Sequence, residues 1–100
     1  MSYNSHINIE QPIARRLVSN ALLKGYTVSV NDGEEWTVKR STHKPTIVGA
    51  MFSTDSDTLR FRRSDGSPVG SVILIYGNGE DVIADYSANP DIEHLVESTI

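Results

Sequence analysis

The sequence predicts an α+β domain. An antiparallel sheet of four strands, with a candidate fifth, is built from two hairpins and covered by helices on one face, in the order α-β-β-α-β-β-(β)-α. Three observations carry this expectation. Ile13, Leu17 and Ala21 recur at helical spacing, as do Ile92, Leu95 and Val96 near the other end. Val28 and Val30, then Leu59 and Phe61, alternate with polar residues at strand spacing. Asn31-Asp32-Gly33 and Ser64-Asp65-Gly66-Ser67 join alternating runs, and these residue types tolerate the positive φ of tight turns.

Residues 1–10 read as a flexible polar arm and residues 11–100 as the single domain. The first helix is expected to begin at Gln11, with Pro12 as its first helical residue, where a missing N–H costs nothing. Val18 and Leu22 widen its apolar stripe, and Gly25 supplies the stop. Tyr26, Val28 and Val30 then point inward from the first strand. Trp36 and Val38 are placed inward on the return strand, which spans about residues 35–40, with Glu35, Thr37 and Lys39 outward. As a core residue Trp36 would cost about 3–5 kcal/mol on truncation to Ala. Thr42-His43-Lys44-Pro45 opens a short helix of two to three turns carrying Ile47, Val48, Met51 and Phe52, weakened by Gly49. Leu59, Phe61 and Arg63 alternate with Arg60 and Arg62 in the third strand. The fourth, residues 69–76, is so apolar at its centre that it reads as buried on both faces or as interior to the sheet. Gly77-Asn78-Gly79 breaks it, and residues 82–84 form a fifth strand or a packed loop. Asn89-Pro90 reads as N-cap and first residue of the last helix, with Asp91 and Glu93 at the positive end of its dipole.

One hundred residues make one domain with a modest core. The chain has no cysteine, which excludes disulfides, thiolate metal sites and thiol nucleophiles. Its start lacks the pattern of a signal peptide, and its longest apolar run is far too short to span a bilayer, so a cytoplasmic protein without membrane contact is expected. The net charge is −4. All nine Lys and Arg residues lie at or before Arg63, whereas Asp65, Glu80, Asp81, Asp85, Asp91, Glu93 and Glu97 follow it. Such an asymmetry either closes on itself or faces a partner.

His6, His43 and His94 lack metal-ligand spacing and read as exposed polar residues. No Gly-x-Ser-x-Gly elbow supports a serine nucleophile. Gly77-Asn78-Gly79-Glu80-Asp81 lacks the Gly-Lys-Ser/Thr ending of a phosphate loop and reads as a turn, with a weak divalent-cation site at Glu80, Asp81 and Asp85 as the lesser reading. Two surfaces are left. Lys39, Arg60 and Arg62 share one sheet face and form the nucleic-acid candidate; with Trp36 and Phe61 read as inward, that face has no aromatic platform, and a solvated surface is preferred. In the acidic tail Tyr76, Glu80, Asp81, Asp85 and Tyr86 mix carboxylates with amphipathic aromatics, a combination common at protein interfaces.

Residues 74–79, Leu-Ile-Tyr-Gly-Asn-Gly, followed by Asp81-Val82-Ile83-Ala84-Asp85-Tyr86-Ser87 and Asn89-Pro90, resemble the C-terminal segment of small uncharacterised orphan proteins encoded by tailed bacteriophages and prophages. The stretch from Ile13 through Gly33 is similar to theirs as well. That group carries no assigned activity, so no functional residue transfers. The resemblance implies a phage accessory protein, made in the host bacterial cytoplasm, that modulates a host component. The sequence-based expectation is therefore a non-enzymatic binding protein that contacts a host protein through the acidic tail, with no cofactor and no metal. A homodimer is expected, because the apolar fourth strand needs cover on both faces. Nucleic-acid binding through the basic sheet face is the alternative, and a small metal-dependent or hydrolytic enzyme is the remote one.

Overall fold

The structure, a computed structural model, describes residues 2–100, with side chains described from Asn8 onward. Among the described residues the elements run α1 (Ser2–Leu23), β1 (Thr27–Asn31), β2 (Trp36–Ser41), α2 (Lys44–Gly49), β3 (Ser56–Arg62), β4 (Pro68–Ile75), a 3-10 turn (Gly79–Asp81), β5 (Ile83–Tyr86) and α3 (Pro90–Thr99). The strands form one antiparallel sheet in the order β2-β1-β3-β4-β5. The α+β class, the two hairpins and their order are as the sequence predicts, and the candidate fifth strand is formed.

The core lies between one face of the sheet and the helices. Val28, Val30, Leu59, Phe61, Val72 and Leu74 supply the sheet side; Ala14, Leu17, Val18 and Ala21 of α1, Ile47 of α2, and Ile92, Leu95 and Val96 of α3 cover it. Burying each of the Val, Leu, Ile and Phe side chains among these contributes about 1.5–3 kcal/mol. α3 starts as its sequence dictates: the Asn89 side chain accepts from the Ile92 N–H at 3.0 Å and Pro90 follows. It comes so close to β4 that a Cβ on Gly70 would lie 2.5 Å from Ile92 Cγ1, so only glycine fits there. α1 and α3 are tied at their far ends, where Arg16 donates to the Thr99 carbonyl at 2.6 Å and Asn20 to that of Ser98 at 3.2 Å.

Four expectations are corrected. First, the helix does not begin at Gln11: α1 extends back to Ser2 and holds Pro12 in its interior. Pro12 lacks the N–H that would bond the Asn8 carbonyl, and its ring crowds that carbonyl. Residues 2–10 are thus helical, and Glu10 is buried; Met1 and the side chains of residues 2–7, His6 among them, lie outside the described residues. Second, α2 is a six-residue helix ending at Gly49, shorter than expected. Third, of the two readings of β4, the interior strand holds and burial on both faces does not. Val72 and Leu74 are buried, but Ile73 and Ile75 are 37% and 40% exposed, so the run is interior to the sheet and covered on one side. Fourth, Trp36 does not point into the core.

The reason for the last correction is the register of β2. Val30 faces Val38, yet the next residue, Asn31, faces Trp36, so one extra residue of β2 intervenes. A second irregularity lies between Val28, paired with Ser41, and Val30. There Arg40 takes a left-handed φ of 51°, and its N–H donates to Ser29 Oγ at 2.9 Å. Each bulge reverses the alternation of side chains. Val38 stays packed against the core, and Trp36 is delivered to the outer face.

Candidate functional site: a cationic hollow on the outer sheet face

The outer face of β2, β1 and β3 holds a shallow hollow of about 180 Å³ lined by Ser29, Trp36, Lys39, Arg40, Arg60 and Arg62. Antiparallel register places the parts. Ser29 is opposite Arg60 and Thr27 opposite Arg62, so both arginines rise on the side away from the helices. The bulges of β2 bring Trp36, Lys39 and Arg40 to the same side. The Arg60 guanidinium lies over the Trp36 ring, with its carbon 4.3 Å from the ring centroid. This cation–π contact holds a flexible side chain in place while Arg60 remains exposed. Arg62 donates one N–H to the Gly66 carbonyl at 2.9 Å, which fixes its direction and leaves its other donors open.

No carboxylate among the described residues pairs with these cations. Among the described residues the only ion pair is Arg63 with Asp91, at 2.7 Å. Lys39, Arg40, Arg60 and Arg62 pair with no carboxylate, and the one hydroxyl lining the hollow, on Ser29, accepts from the Arg40 N–H. Lys39, Arg60 and Arg62, named from the sequence as the basic face, are therefore brought together. Trp36 and Arg40 were missed. No local signal marks them, because residues 36–41 pair with the shorter stretch 28–31 and that register is decided between the strands.

The acidic tail is arranged differently. Tyr76 is half-buried, its ring centroid 5.2 Å from that of Phe52, and its hydroxyl donates to Asp57 Oδ2. Asp57 is 1% exposed and also accepts from the Phe52 N–H at 2.9 Å; its Oδ1 has no partner. Burial pushes the Asp57 carboxyl above the ordinary range, against the opposing pull of the Tyr76 and Phe52 hydrogen bonds, and it pushes the Tyr76 hydroxyl far upward as well. Gly77 and Gly79, both at positive φ, aim their N–H groups at one carboxylate oxygen of buried Glu10, at 2.5 and 2.8 Å. That pair of donors could cradle an anion, and Glu10 already fills it. Glu80, Asp81, Asp85 and Tyr86 are exposed. Asp85 lies opposite Ile73 and accepts from its neighbour's N–H at 2.8 Å, while Tyr86 lies opposite buried Val72. Tyr76 is thus bonded into the fold, while the carboxylates it was grouped with are exposed. Among the described residues no three His, Asp or Glu side chains converge where they could hold a metal ion, and no helix is long and apolar enough to cross a membrane.

Comparison with protein-family models, with curated proteins and with solved structures finds no match to this chain.

Proposed function

We propose that this chain is a binding module, not an enzyme, and that it engages an anionic partner through the outer face of β2, β1 and β3. The observation that carries the reading is the cluster of Lys39, Arg40, Arg60 and Arg62 around Trp36, with no carboxylate among them. Holding four cations on one small face costs self-repulsion. An anion offsets that cost and gains charge-assisted hydrogen bonds. The tail offers less: its aromatic anchor Tyr76 is bonded to Asp57, and its glycine turn is bonded to Glu10. A phage accessory protein that redirects a host component is the biological setting implied by the resemblance of the tail. An anionic surface on such a component would serve as the partner.

The test is retention on a heparin matrix at low salt. The wild-type chain is expected to bind and to elute as salt rises. Arg60→Glu with Arg62→Glu should pass through unretained while still folded, its melting temperature lowered by no more than several degrees for the lost cation–π contact. Asp81→Lys with Asp85→Lys should be held at least as well as wild type. Equal retention of the arginine variant and wild type would overturn the reading.

A further inference from the structure

We infer that the anionic partner is single-stranded nucleic acid, with a base stacked on the Arg60 guanidinium and the flanking phosphates held by Lys39, Arg40 and Arg62. The inference rests on the reading above, that this face takes an anion, and adds which one. Phosphate contacts alone would need only charge. What this face has besides charge is a planar group held in position: Arg60 lies over Trp36, 4.3 Å from its centroid, and is exposed. A guanidinium backed by an indole is a preorganised stacking surface, and unpaired bases stack on arginine planes as they do on aromatic rings. Trp36 acts here as a positioning residue, because it fixes Arg60 and most of its own surface is covered. A duplex keeps its bases stacked on each other and could offer this face only phosphates. An acidic peptide could satisfy the cations but has no flat group to place on Arg60.

The cations are also spaced for a strand rather than for one ion. Arg60 and Arg62 are alternate residues of β3, and Lys39 and Arg40 stand on β2 across the intervening β1. Ser29 lies between them, bonded to Arg40. A backbone crossing from β2 to β3 over β1 meets cations at both ends and the Trp36–Arg60 pair beside them. The net charge of −4 does not oppose this, because no carboxylate lines the hollow.

Trp36 is the only tryptophan of the chain, so its emission reports the site without a label. The experiment titrates the full chain, at low salt, with a mixed-sequence single strand of about a dozen nucleotides, as DNA and as RNA, with the matching duplex, with inorganic polyphosphate and with poly-glutamate. Either single strand is expected to quench Trp36 and to bind at least about tenfold tighter than the duplex, the polyphosphate or the polypeptide. Arg60→Lys keeps the charge and loses the plane; it should weaken single-strand binding about tenfold and leave polyphosphate binding unchanged. Trp36→Phe and Trp36→Ala lack the reporter, so their binding is read by the anisotropy of an end-labelled single strand. Trp36→Phe should retain part of the affinity that Trp36→Ala loses, and circular dichroism of each variant checks that it is folded.

If polyphosphate matches the single strands and Arg60→Lys changes neither, the face binds anions without reading bases; the inference then fails and the proposed function stands. Preference for poly-glutamate makes the partner an acidic protein and likewise ends the inference. Binding of none of these probes removes both.

Discussion

The two ends of the sheet use similar residue types to opposite ends. Around β4 and the turn that follows it, Tyr76, Asp57, Glu10 and the glycine N–H groups are bonded to one another inside the fold. Across β2, β1 and β3, Trp36 and four cations are turned outward and left without carboxylate partners. In the sequence both regions mix aromatics with charge, and the tail looks the richer. The difference teaches that a recognition surface is marked by polar groups whose partners the chain does not supply, and that composition alone does not reveal which groups those are. Substitutions at the tail end should therefore cost stability and spare binding. On the outer face they should do the reverse.

The largest effect is expected at Glu10. Glu10→Ala leaves the buried Gly79 N–H without an acceptor, whereas the more exposed Gly77 N–H can turn to water, so the loss should be about 2 kcal/mol in urea unfolding. Glu10→Gln, which keeps an acceptor, should recover part of it. Heparin retention should stay at the wild-type level in both. A Glu10→Ala protein as stable as wild type would show that the turn does not depend on this carboxylate, and the contrast between the two regions would lose its firmer half.

Why the helices and hairpins of this fold were legible is a matter of local chemistry. Asp32 shows it well: its side chain accepts from the Glu34 and Glu35 N–H groups at 2.9 and 3.0 Å, and those bonds hold its carboxyl below the ordinary range. Asp65 does the same in the second turn, through the hydroxyl and N–H of Ser67. Such signals lie within three residues of each other and can be read in sequence. The face of Trp36 cannot, because it depends on where β2 gains residues relative to β1. A bulge is decided between strands, and strict alternation placed Trp36 with Val38. The start of α1 was hidden for a related reason. Pro12 looks like a first helical residue, and only the tertiary bond of Glu10 to a turn 67 residues away shows that the helix upstream of it is anchored.

A smaller effect is expected on the outer face. Trp36 is half-buried beneath Arg60 and lies outside the core, so Trp36→Ala should cost about 1 kcal/mol, the worth of an exposed cation–π contact with some packing, in place of the 3–5 kcal/mol of a core tryptophan. Native emission should lie to the red of a fully buried indole. A loss in urea unfolding as large as that of a core residue would return Trp36 to the interior side and dissolve the comparison.

The smallest expected effect is a slope. Folding raises the Asp57 carboxyl above its unfolded range, chiefly by burial, so folding favours its protonated form. Between the unfolded and the folded value the native state holds more of this proton than the unfolded chain does. Stability therefore falls as pH rises through that window, and the cost is then constant above it. Asp32 and Asp65 act with the opposite sign: their folded values are lowered, and what they contribute is lost as pH falls. Total stability against pH mixes the three, and Asp57→Asn separates them. The variant keeps a side-chain acceptor for Phe52 and Tyr76 but cannot titrate. From about pH 3.5 to about pH 7, the unfolding free energy of Asp57→Asn minus that of wild type should rise and then level off. A flat difference would mean that Asp57 is solvated in the native state, and a falling one that its hydrogen bonds outweigh its burial. Heparin retention should be the same for both proteins at every pH, since Asp57 pairs with Leu74 on the helix-covered side of the sheet, away from the lining of the cationic hollow.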